Sequence, residues 1–101
     1  MSANNPTFTL QVPNQPALTA GFTTEYLNSR VARITLSVSV NNQQPVQRIL
    51  EMEVGQEFPV GLEFLRGTLI MSQQAVINFT GGIETPAGQF LINNAIIAVN
   101  S

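Results

Sequence analysis

Glu51 and Glu53 are the side chains best placed to do chemistry in this sequence. On an extended strand, residues two apart share a face, which puts these carboxylates roughly 6–7 Å from each other. That separation is compatible with paired-carboxylate glycoside chemistry. The pair could also begin a calcium site, but calcium wants about six to eight oxygens and the neighbouring residues supply few. The plainer reading is a solvated strand face with Glu53 paired to Arg33. It prevails, because glycosidase carboxylates work in a cleft that 101 residues can hardly build.

The remaining chemical inventory is short. The chain has no His, Cys, Asp, Lys or Trp. Proton transfer, covalent attack and metal ligation usually recruit the first four. A Ser or Thr nucleophile would have no His or Lys to activate it, so the expectation is a non-enzymatic protein with no catalytic, cofactor or metal residues. Without cysteine, disulfides and thiolate metal sites are excluded. Asn78-Phe79-Thr80 matches the N-glycosylation pattern, a three-residue signal that arises often by chance. Arg30, Arg33, Arg48 and Arg66 could line a groove with Phe64 or Tyr26 to hold a single strand of nucleic acid. A net charge of −2 and the absence of Lys weigh against that, since phosphate binding needs several cations.

The length fits one domain, read as an N-terminal arm over 1–20 and a single β domain over 21–101. Apolar residues make up 44% of the chain. Charged residues make up 10%, against about 25% in a typical soluble protein. Asn, Gln, Ser and Thr fill the gap with 34 residues. The longest apolar run, Ala95 to Val99, is far short of the ~20 residues of a spanning helix. No basic start followed by an apolar stretch suggests a secretory leader, so a soluble protein is expected.

Periodicity supplies the strand map. Thr7 to Val12 alternates between Pro6 and Pro13, which suits a sheet edge or a neighbouring subunit. Thr23 to Asn28 could form one helical turn. Arg30 to Val40 places Ala32, Ile34, Leu36, Val38 and Val40 on one face, and Val46 to Val54 returns after the loop 41–45. Setting Val40 opposite Val46 brings Arg33 to Glu53 and leaves Arg48 pointing inward, either snorkelling or shifted by a bulge. Leu62 to Met71 changes parity about Gly67, which suggests a bulge there. Gly81-Gly82 reads as a turn, and Asn93-Asn94 as a turn or bulge between the last two strands. The fold class is all-β, a small antiparallel sandwich or barrel of six to eight short strands. The expected core is Ile34, Leu36, Val38, Leu50, Met52, Phe64, Leu69, Ile77, Phe79 and Ile97.

Missing charge then carries the functional expectation. A lone β domain must guard its edges, and Lys is the common guard. Ala75 to Thr80 and Gln89 to Val99 carry no charge at all. Copies of the chain, or a larger scaffold, would cover such strands. Phe8, Leu10, Val12, Val31, Ile49 and Val76 are the candidate interface residues. In size, composition and arm the chain resembles small β-rich subunits of viral shells, such as capsid decoration or cement proteins, and secondarily pilus-like subunits. The likeness implies a virion location, self-association (a trimer, since such proteins often sit on symmetry axes) and binding to a scaffold such as a capsid. No nucleic acid or membrane partner is expected. The alternative is a β-sandwich carbohydrate-binding module, although Tyr26 is the only Tyr or Trp available as a sugar platform.

Overall fold

The alternation that marks β3 (Val31–Val40) is realised residue by residue: Ala32, Ile34, Leu36 and Val38 are buried, and Val31, Arg33, Thr35 and Ser37 face outward. The structure is a computed structural model that describes residues 7–12, 15–41, 43–85 and 88–99, with side chains for all of these except 10–12 and 15–17. It is all-β, and no helix occurs among the described residues. Before β3 come β1 (Thr7–Val12) and β2 (Gln15–Tyr26); after it comes β4 (Val46–Glu53). These four form one antiparallel sheet in chain order. The second sheet is β5 (Glu57–Leu62), β6 (Leu65–Met71), β7 (Val76–Thr85) and β8 (Gly88–Val99), again in chain order. The two sheets pack face to face as a small β-sandwich. β1 lies beside β8 along one side, and β4 lies beside β5 along the other.

The core fills the space between the sheets, and every residue of the expected core is buried except Phe64, which is partly buried against it. Phe22, Leu65, Met71 and Ile83 join them from strands whose inward face periodicity left undecided. Thr24 is the one buried polar residue among them, and its hydroxyl has no hydrogen-bond partner among the described residues.

Several local expectations are corrected. Val46 pairs with Val38 and not with Val40, so Arg33 opposes Glu51, and Glu53 opposes Val31. The turn explains the slip. Asn41 takes a positive φ of 53°, and the Gln43 N–H donates to the Val40 carbonyl at 3.0 Å, which closes the chain tightly at the end of β3. The leftover residues then fall on the β4 side. A shift of two keeps every side chain on its face, which is why the core assignment survived the wrong register. The β3–β4 ladder has no bulge, and Arg48, on the inward side opposite Leu36, reaches solvent past the edge of the sheet.

Residues 23–26 continue β2, with no helical turn. The parity change placed at Gly67 comes instead from a hairpin turn at Glu63, whose φ is 53°, between β5 and β6. Gly81 and Gly82 lie within β7. Gly81 faces Gly67 so closely that a Cβ on Gly81 would overlap the backbone of Arg66 and Gly67. Asn93-Asn94 forms a bulge within a continuous β8. Within the stretch read as an arm, Thr7–Val12 pairs with β2 as the edge of the first sheet; residues 1–6 and 13–14 lie outside the described residues.

Candidate functional site

Arg33 organises the carboxylates. Its guanidinium contacts Glu25 at 3.4 Å and Glu51 at 3.2 Å across three adjacent strands, with all three side chains about half exposed. Glu51 is therefore held by a cation on an open sheet face, and Glu53 sits two pairs further along opposite Val31. No cleft encloses the pair. Among the described residues no group of three or more His, Cys, Asp or Glu could hold a metal ion.

The arginines do not converge either. Arg33 lies on the outer face of the first sheet, while Arg66 belongs to the second and pairs with Glu84 at 3.2 Å. Phe64 packs on the core. The Tyr26 hydroxyl donates to the Ala75 carbonyl at 2.8 Å, tying β2 to the loop before β7, and burial raises its pKa above the ordinary tyrosine value. Arg33 and Arg66 thus stand on different sheets. Asn78, the potential glycan acceptor, donates its amide to Asn94 Oδ1 at 2.8 Å, beside the bulge.

What the strand order does assemble is two outer faces that differ in their exposed hydrophobics. On the first sheet, Thr7, Thr23 and Thr35 line up across β1, β2 and β3, and Thr9, Gly21, Ser37 and Gln47 form the next row. Thr19 and Ser39 follow. Together they line a shallow hollow of about 360 Å³ with no charged side chain in its wall. Gly21 leaves its floor open. A Cβ there would meet only the Phe8 carbonyl at 3.5 Å, an ordinary contact, so no close approach forces the glycine. Of these hydroxyls, only that of Ser39 has a hydrogen-bond partner among the described residues, the Gln43 carbonyl.

The outer face of the second sheet is mixed: Glu57 stands beside Ile70 and Arg66 pairs with Glu84, while exposed hydrophobics gather on β6, β7 and β8. Ile70, Asn78 and Ile96 stand in one row across β6, β7 and β8, and Val76 pairs with Val99 in the next. Leu91 is 79% exposed, Ile96 56% and Val99 53%. Of the expected interface residues, Val76 lies in this face, half buried. Ile49, 63% exposed, and Val31 lie on the other sheet, and Phe8 packs on the core. The side chains of Leu10 and Val12 lie outside the described ones. Ile70, Leu91, Ile96 and Val99 were missed, although the run Phe90 to Val99 is visibly uncharged in the sequence. Its bulges scramble the alternation that would have shown which residues face out.

No family model, curated protein or solved structure matches this chain. No helix among the described residues is long and apolar enough to cross a membrane.

Proposed function

We propose that this chain is a non-enzymatic structural assembly subunit, of the type that decorates or cements a virion shell, and that it self-associates and binds a larger protein scaffold. The observation that carries the reading is the group of exposed hydrophobics on the outer face of the second sheet. Four of the seven exposed large hydrophobics, Ile70, Leu91, Ile96 and Val99, belong to the second sheet. Ile70 and Ile96 flank Asn78, and Val99 lies beside Val76, with Glu57 and the Arg66–Glu84 pair on the same face. Apolar surface rimmed by polar groups marks interaction sites. The first sheet, with its hydroxyls and the Arg33 ion pairs, suits solvent. Low overall charge agrees, because ten ionised groups are few to keep a lone sandwich from associating.

The test is solution mass across the micromolar range, with binding to purified candidate shells measured in parallel. A concentration-dependent oligomer, or shell binding that Ile70→Ser with Val76→Ser removes, is the expected result. A soluble monomer that binds no shell refutes the reading.

One observation favours carbohydrate binding as a second reading. The uncharged hollow over Gly21 presents hydroxyls that both donate and accept, as sugar hydroxyls do. It lacks an aromatic platform, so binding of a single neutral oligosaccharide would be weak. Titration with neutral glycans, followed by the amide signals of Gly21 and Ser37, tests it. Gly21→Val should then fill the hollow and abolish the shifts.

A further inference from the structure

We infer, building on the assembly reading, that two copies of the chain associate about a two-fold axis through the uncharged side of the sandwich, the segment Gly88–Ile92 of β8 pairing antiparallel with the same segment of the second copy. The sandwich has four edge strands on two sides. β4 and β5 border one side and carry Arg48, Glu51, Glu53 and Glu57, with Pro59 in the middle of β5. Charged side chains on an edge, and a proline with no N–H to offer, obstruct strand addition. β1 and β8 border the other side without a single charged residue. Of these two, β1 is six residues long and Pro6 and Pro13 bracket it in the sequence. β8 is twelve residues long and contains no proline.

The bulges of β8 decide which part of it can pair. Register shifts against β7 fall around Ile97 and around Asn93-Asn94, and bulges bend an edge away from further pairing. Ahead of them the ladder is unbroken, from Thr85 opposite Gly88 to Gly81 opposite Ile92. Gly88–Ile92 is therefore an unbulged, uncharged stretch of edge with no strand hydrogen-bonded to its outer side among the described residues, and it carries Leu91, the most exposed large hydrophobic of those residues.

A strand added there must itself be straight and uncharged, because burying an unpaired charge against this edge is costly. The same segment of a second copy meets both conditions. Antiparallel self-pairing about a two-fold uses the edge on both copies at once, so association stops at two. Pairing β8 with a neighbour's β1 would instead leave one free edge at each end and continue. Self-pairing joins the two β5–β8 sheets into one of eight strands and places the exposed Leu91 of each copy at the junction. The closed unit is then a dimer, in place of the trimer suggested by likeness to decoration proteins.

The chain has no cysteine, so single substitutions report cleanly. Gln89→Cys and Leu91→Cys lie in the pairing segment. Ile70→Cys lies on the outer face of the same sheet, two strands in from the edge. Directly opposed residues of paired strands hold their Cβ atoms about 4.5–5.5 Å apart, near the separation a disulfide needs. Self-pairing of Gly88–Ile92 sets residue 89 of one copy opposite residue 91 of the other, so mild oxidation of an equimolar mixture of the two β8 variants should give a covalent dimer, with about tenfold less from Ile70→Cys. By sedimentation equilibrium, Leu91→Lys should weaken the dimer about tenfold or more, because like charges are then brought together across the axis. Leu91 is exposed, so an unchanged unfolding midpoint of diluted protein shows that this variant still folds. An oligomer that cross-links no better through β8 than through Ile70 overturns the pairing while leaving assembly in place. A monomer at every concentration overturns the pairing, and overturns assembly as well if it also binds no shell.

Discussion

Phe22 and Phe79 meet across the sandwich with ring centroids 5.1 Å apart and planes inclined at 45°. Both are fully buried, and each comes from a strand near the middle of its sheet. The Phe79 ring also lies over Gly67, where an added Cβ would come within 2.6 Å of its Cζ atom. Aromatic pairs at such distances contribute about 0.5–1.5 kcal/mol beyond the area they bury.

Truncating either ring should therefore be costly. Phe22→Ala and Phe79→Ala should each lose about 3–5 kcal/mol of unfolding free energy, measured by urea denaturation. Their effects should couple in a double-mutant cycle. Additive losses would show that the rings act separately.

Gly67→Ala tests the same contact from the other side. The new methyl meets the Thr80 backbone carbonyl as well as the Phe79 ring, so both must shift, and overpacking of this kind costs about 1–3 kcal/mol. Adding Phe79→Leu should recover part of the loss, because the smaller side chain frees the space. A Gly67→Ala midpoint equal to that of the parent would show that the ring moves aside freely.

The Thr24 hydroxyl predicts a gain. It is fully buried and has no partner among the described residues, so its desolvation is uncompensated. Thr24→Val keeps the shape and removes the hydroxyl. Unfolding free energy should rise by about 1 kcal/mol. A fall of similar size would reveal that the hydroxyl is satisfied in solution.

Tyr26 gives the fold an alkaline limit. Burial raises its pKa in the folded state, so the native chain holds the phenolic proton more tightly than the unfolded chain does. This contribution is fully present below the unfolded pKa of about 10 and is lost as pH climbs from there through the folded value. It is the chain's only tyrosine, so tyrosinate absorbance follows it directly. Tyr26→Phe should lose about 1 kcal/mol at neutral pH, with the bond to the Ala75 carbonyl, and should flatten the alkaline decline.

The Arg33 ion pairs should matter little. Their side chains are about half exposed, and such pairs contribute less than about 1 kcal/mol. Arg33→Gln should shift the urea midpoint only slightly, and Glu51→Gln likewise. A large loss from either would mean that the face is covered in the assembled protein.

Legibility in the sequence followed the regularity of each strand. β3 alternates without a break, so its inward face is plain in the sequence, and that face fixes the inward side of β4. The β3–β4 register was off by two, because pattern alone does not determine how the Asn41 turn closes. β8 was harder. Its bulges offset the period, and Leu91, Ile96 and Val99 had no visible reason to face outward. The hydroxyl hollow was half legible: Thr35, Ser37 and Ser39 were read as the polar side of one strand. Only the order β1 to β4 brings Thr7, Thr9 and Thr23 beside them.

The order of strands within each sheet bears on how the chain reaches this state. Every ladder among the described residues joins strands adjacent in sequence, and the chain passes from one sheet to the other once, through Val54–Gln56. Each hairpin closes over a short loop, so little chain entropy is lost before pairing is rewarded, unlike in a sandwich with long crossovers. The two halves of the sequence are thus two self-contained meanders. Their meeting, with Phe22 of the first arriving on Phe79 of the second, is the one event that must bring together parts of the chain far apart in sequence, and it is where the folding barrier should lie.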